Sequence, residues 1–259
     1  MKVTYQNPGF DYSIESILHF QTDDETPFWS DSLLYFYPQI DKNILAQKDA
    51  LGKKQYITEV LSPIYKEICP ELSEKAFAYN NHYSKYQNQI NEAFSDAFDM
   101  DVSDIFNDLT GNICMNPVCP RFLREHSFDV FYKNSEKGAL GMSLHEMVHY
   151  VWFHVWNMLF QDSYDEYERP SLKWILSEMV VESIMSDSRL SSINPYYPRE
   201  GGGCIYPYFQ NMIIDDRCIL DTLYGLYQKN DISNFMKLAY EYCAEHEAAI
   251  RKHIKQEEG

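Results

Sequence analysis

Two histidines four residues apart, His145 and His149, bracket Glu146 in the stretch LHEMVHYVW. In a helix, positions i and i+4 share one face, so both imidazoles can reach a single metal ion. Zinc takes imidazole nitrogens at about 2.0–2.1 Å, and its catalytic sites use three protein ligands plus one open position. Glu146, next to the first histidine, is then placed to take a proton from a water beside the ion and pass it to a leaving group. The surrounding residues are apolar almost all the way round the helix: Leu144, Met147, Val148, Val151, Trp152 and Val155. A helix of that kind is buried, and unpaired His and Glu in it are costly unless something binds them.

A third ligand has to come from another buried element, and WILSEMVVESIM offers one. Glu178 and Glu182 stand one turn apart in a second run that is apolar all round. Glu178 completes a ligand set of His145, His149 and Glu178. Glu182 is expected to accept the free ring N–H of a ligand histidine, the outer bond that fixes its tautomer. One zinc ion per chain is the expected cofactor. The competing reading is an amphipathic core helix whose polar residues are satisfied locally.

The pair SLHEMVHYVW and PSLKWILSEMVVESI, with 28 residues between His149 and Glu178, resembles the gluzincin clan of zinc metallopeptidases, and in particular its peptidase-MA-like branch. The resemblance implies a zincin-like core, zinc on His145, His149 and Glu178, Glu146 as base and then acid, and a peptide or protein substrate. It also implies support of a histidine by Glu182 and pairing of an extended peptide with a strand near GNICMNP or FDVFYKN. The clan holds the developing oxyanion with a Tyr or His. Tyr196, Tyr197, Tyr206 and Tyr208 follow the second helix, and Tyr206 is the preferred candidate. The chain lacks a Gly-x-Met-Glu-Asn motif, so the likeness does not extend to amino-terminal trimming. A different class stays open: a zinc-binding fold of this kind used as a non-catalytic binding or regulatory module.

These residues need a scaffold, and the chain is long enough to build one. It has 259 residues, 45% of them hydrophobic and 15% aromatic, which supports a substantial core. Its net charge of −17 repels phosphate backbones and anionic membranes, so neither nucleic acid nor membrane is an expected partner. MKVTYQNPGFDYSIESILHF lacks the pattern of a secretory leader, and the longest apolar run, Met147 to Phe160, is too short to span a bilayer. A cytoplasmic location with reduced thiols is therefore expected, and Cys114 and Cys119 read as thiols, having no matching second pair.

The expected fold is α+β and predominantly α-helical. Residues 1–110 read as a mostly helical region, with Pro63 kinking or dividing a helix. Residues 111–259 read as the metallopeptidase core with C-terminal helices, either a separate unit or one continuous domain with the first part. A small sheet is expected over residues 111–133, where Phe128, Val130 and Tyr132 alternate. Helices are expected at about 139–160 and after Pro170, and two more at about 206–228 and 232–256. His154 falls about half a turn from His145 and reads as structural. Gly201–Gly203 lack the Lys-Ser/Thr of a phosphate loop and read as a rim.

Overall fold

Four short strands form the sheet that underlies the molecule: β1 (Val3–Gln6), β2 (Leu109–Cys114), β3 (Arg121–Phe122) and β4 (Ser127–Phe131), in the order β1-β2-β4-β3. The computed structural model describes residues 1–21, 27–194 and 206–258. β1 and β4 run parallel to β2, and β3 runs antiparallel to β4. The expected sheet is present, and it takes in β1, outside residues 111–133, as well. β1 lies in the segment that read as helical, and it pairs with β2 across a hundred residues of chain, so residues 1–110 and 111–259 share one sheet. β2 and β4, the strands expected to receive a peptide, are both interior, and the sheet's edges are β1 and β3.

Gly111 of β2 lets the sheet meet the helix above it. A Cβ there would lie 2.7 Å from the ring of Tyr5, its partner in β1. With only hydrogen in the way, Tyr5 crosses the sheet and brings its hydroxyl 2.6 Å from Ser143 Oγ on the overlying helix. On the opposite face, α1 (Phe10–His19) sends Tyr12 and Ser16 to the carboxylate of Asp129 in β4.

After α2 (Pro27–Phe36) and α3 (Lys42–Ala46), a single helix α4 runs from Ala50 to Ala97. Pro63 and Pro70 lie inside it, so the expected division at Pro63 does not occur. The reason is which way they face. Both prolines are exposed, as are Glu59 and Lys66 four residues before them. The carbonyls that lose an intrahelical donor therefore face water, while Ile57, Leu61, Leu72, Tyr79 and Tyr83 hold the other side in the core.

α5 (Glu136–Phe160) and α6 (Leu172–Met185) are the two apolar helices the sequence marks out. Each begins at a serine whose side chain accepts a backbone N–H: Ser135 from Gly138, and Ser171 from Trp174. They pack on each other, with α5 also against α4 and β4, and α6 also against the later helices α9 (Ile219–Tyr227) and α10 (Ile232–Glu245). Hence the middle turns of both are covered all round, and apolar residues encircle them.

α7 (Ser188–Ile193) follows α6. The helix expected over 206–228 is instead three pieces: α8 (Pro207–Gln210), a hairpin of β5 (Ile213–Ile214) with β6 (Arg217–Cys218), and α9 (Ile219–Tyr227). Asp215 and Asp216 turn the hairpin with φ of 50 and 60°, the left-handed pair a two-residue loop demands and a helix forbids. α10 (Ile232–Glu245) and α11 (Glu247–Glu258) close the chain. The fold is predominantly α-helical α+β. Among the described residues, no helix is long and apolar enough to cross a membrane.

Candidate metal centre

α5 brings His145 and His149 to one face with their Nε2 atoms 3.1 Å apart, both buried. Their side chains and that of Glu146 offer ligand atoms that all lie within 4.8 Å of one another, a buried group that could hold a metal ion. From α6, Glu178 places Oε2 3.8 Å from His145 Nε2 and 3.6 Å from His149 Nε2. Three atoms at those separations share a common point about 2.0 Å from each, which is the bond length zinc takes to imidazole and carboxylate. The donor set fits the ion in chemistry as well: two imidazoles and one carboxylate suit zinc.

The electrostatics separate the two glutamates. Burial pushes the Glu146 carboxyl up to about 7, against the pull of His145 and Arg121. Burial also works against the Glu178 carboxylate, but the His149 ring and the permanent charge of Arg121 outweigh it and hold that carboxyl well below the usual range. Burial lowers His149 well below the ordinary histidine value, which keeps it neutral, the form that binds metal. His145 sits above its ordinary value because Glu178 and Glu146 outweigh its burial. Glu146 Oε1 is 4.0 Å from His145 Nε2, and its Oε2 is buried without a hydrogen-bond partner among the described residues. A carboxyl near neutrality with an open oxygen is equipped to take and return a proton.

Arg121 is the site residue that sequence reasoning missed. It sits on β3 opposite Phe128 of β4, and its Nη1 donates to Glu178 Oε1 at 2.7 Å. One oxygen of Glu178 is thus held by the arginine and the other faces the histidines. Tyr150, on α5, fixes β3 from the other side, its hydroxyl lying 3.0 Å from the carbonyl of Phe122 and 2.7 Å from that of Ser127. β3 is two residues long, too short to show a strand period, so nothing in the sequence tied Arg121 to the helices.

Two expectations are corrected. Glu182 does not support a histidine: the Nδ1 atoms of His145 and His149 are both buried with no hydrogen-bond partner among the described residues, and Glu182 is half-buried on another part of α6. Tyr206 does not open a long helix. It is the cap of the short α8, with its ring 5.7 Å from Trp174 and stacked at 5.1 Å on Tyr208. Its hydroxyl is pushed well up by burial and then by the charge of Glu178. Tyr196, Tyr197 and Gly201–Gly203 lie outside the described residues. His154 packs edge-on against Phe106, as a structural histidine does. Among the described residues neither Cys114 nor Cys119 forms a disulfide, and burial pushes the Cys114 thiol well up.

Comparison of the chain with protein-family models, with curated proteins and with solved structures gives no match in any of the three.

Proposed function

We propose that this chain is a zinc-dependent hydrolase of the gluzincin type with a zincin-like core, acting on peptides or proteins, with one zinc held by His145, His149 and Glu178. The observation that carries the reading is the common point about 2.0 Å from Nε2, Nε2 and Oε2, drawn from two separate helices and matching zinc's bond lengths. The unpaired oxygen of Glu146 beside it supports an enzyme over a passive binding module, because a scaffold has no use for a buried, half-satisfied carboxyl.

When bound, the ion supplies Lewis acidity, polarising the scissile carbonyl and lowering the pKa of a water. Glu146 takes that water's proton as the C–O bond forms, and returns it to the amine nitrogen as the C–N bond breaks. Arg121 keeps Glu178 turned so that one oxygen faces the histidines. Tyr206, against the first turn of α6, is the candidate to donate a hydrogen bond to the developing oxyanion.

The test has two parts. Protein purified without chelator and reconstituted with zinc is expected to hold one zinc per chain by elemental analysis; less than about 0.2 would sink the site, since three-ligand centres hold zinc well. The loaded protein is then expected to cleave members of a general peptide library. Full zinc with no cleavage would replace the hydrolase reading with the binding-module one.

A further inference from the structure

Arg121 is more than a prop for Glu178. Its side chain is 10% exposed, and Nη1 is taken by Glu178 Oε1. The other two donor nitrogens, Nε and Nη2, are buried with no partner among the described residues. These two project side by side along one edge of the guanidinium plane, the edge that takes both oxygens of a carboxylate at once. Arginine does not lose its charge, so burial with that edge unsatisfied is costly unless something occupies it. The ring of Phe153, 5.9 Å from the guanidinium carbon, lies against the group and helps to fix its plane.

The position limits what the edge can read. Nη1 is one hydrogen bond from Glu178, whose other oxygen faces the histidine pair. The edge therefore stands within about one to two residues' length of the point where the ion would sit. With zinc bound, the group of Arg121, Glu146 and Glu178 carries net positive charge, which favours an anion. Resting on the hydrolase reading for the reaction, we propose that the Nε–Nη2 edge of Arg121 binds a carboxylate of the substrate, located within about one to two residues of the scissile bond. That carboxylate is either a free C-terminus or the side chain of Asp or Glu.

Binding of small probes tests this without any turnover. N-acetylphenylalanine carries a terminal carboxylate, N-acetylaspartyl amide a side-chain one, and N-acetylphenylalanine amide none. Titration calorimetry on zinc-loaded wild type is expected to show one of the acids binding roughly 10–100-fold more tightly than the amide, as charge-assisted bidentate bonds do. Which acid wins identifies the source. Arg121→Gln and Arg121→Lys are expected to keep their fold by circular dichroism and to bring the preference to within about threefold, since neither side chain has the paired donors. A preference created by the metal would survive both substitutions while zinc is retained, and would overturn the proposal; so would equal binding of acids and amide by wild type. If Arg121→Gln does not fold, Arg121→Lys decides. If neither folds, the Arg121 Nε–H resonance of the wild type decides, shifting with an acid and not with the amide. Repeating the titration on metal-free protein separates this result from the zinc reading, because the arginine edge is present either way.

Discussion

Glu146, Glu178 and Glu182 are the same side chain in three settings, and they are expected to respond differently to substitution. Glu146 takes no part in the triangle around the common point, and burial holds its carboxyl near 7. Glu146→Gln is nearly isosteric, so it should retain one zinc per chain and the wild-type fold while lowering kcat by about 10²–10⁴-fold, the usual weight of a general base. Near-wild-type turnover in that variant would remove Glu146 from the mechanism. His145→Ala should lose the metal too, which elemental analysis reads directly. Glu182 marks the contrast. Because it makes no hydrogen bond to either ring, Glu182→Ala should leave zinc affinity unchanged, in place of the roughly 10–100-fold loss that follows removal of an outer partner. Competition with a chromogenic chelator would detect such a loss.

At the scale of elements, what could be read depended on whether a segment's neighbours were local. α5 and α6 were legible because apolar residues surround them, so the few polar ones, His145, Glu146, His149 and Glu178, stood out against that background. β1 was not legible: four residues become a strand only by pairing with β2, about a hundred residues on. The continuity of α4 hung on Pro63 and Pro70 facing water, which tertiary packing decides. The break at 211–218 lies in IIDDRC, where Asp215 and Asp216 turn a hairpin between two stretches of helical spacing. Arg121 was hidden for a related reason, since β3 is held in place by a contact from α5 and not by its own pattern. That contact can be tested. In Tyr150→Phe the carbonyls of Phe122 and Ser127 lose a buried donor, which should cost about 1–3 kcal/mol. Urea unfolding is expected to show a lower midpoint with an unchanged slope; an unshifted midpoint would mean that β3 is held by other contacts.

For the molecule as a whole, charge and one buried acid act in the same direction. The net charge of −17 at pH 7 repels itself, and acidification toward the isoelectric region near pH 4.8 relieves it. Asp129 lies fully buried between α1 and the sheet and accepts hydrogen bonds from the hydroxyls of Tyr12 and Ser16. Tyr12 in turn receives one from Asn112, and Ser16 one from Asn116. Burial nevertheless outweighs these bonds and raises the Asp129 carboxyl from 3.8 to about 6. The folded chain therefore keeps this proton at pH values where the unfolded chain has lost it. By linkage, stability from this group is greatest at low pH, falls as pH rises from 3.8 to about 6, and is level above that, a total of about 3 kcal/mol. Glu178 does not mask the effect between pH 5 and 7, since its folded value lies below the ordinary carboxylate range and it is ionised there in both states. Asp129→Asn removes the titration and keeps the shape, with one hydroxyl still finding an acceptor and the other turning to accept. The melting temperature of the wild type should thus fall more steeply than that of Asp129→Asn between pH 4.5 and 6.5. The variant retains the self-repulsion of the other charges, so the difference between the two curves reports Asp129 alone. Parallel curves would show that Asp129 is ionised throughout and that its hydroxyl partners, not burial, set its state.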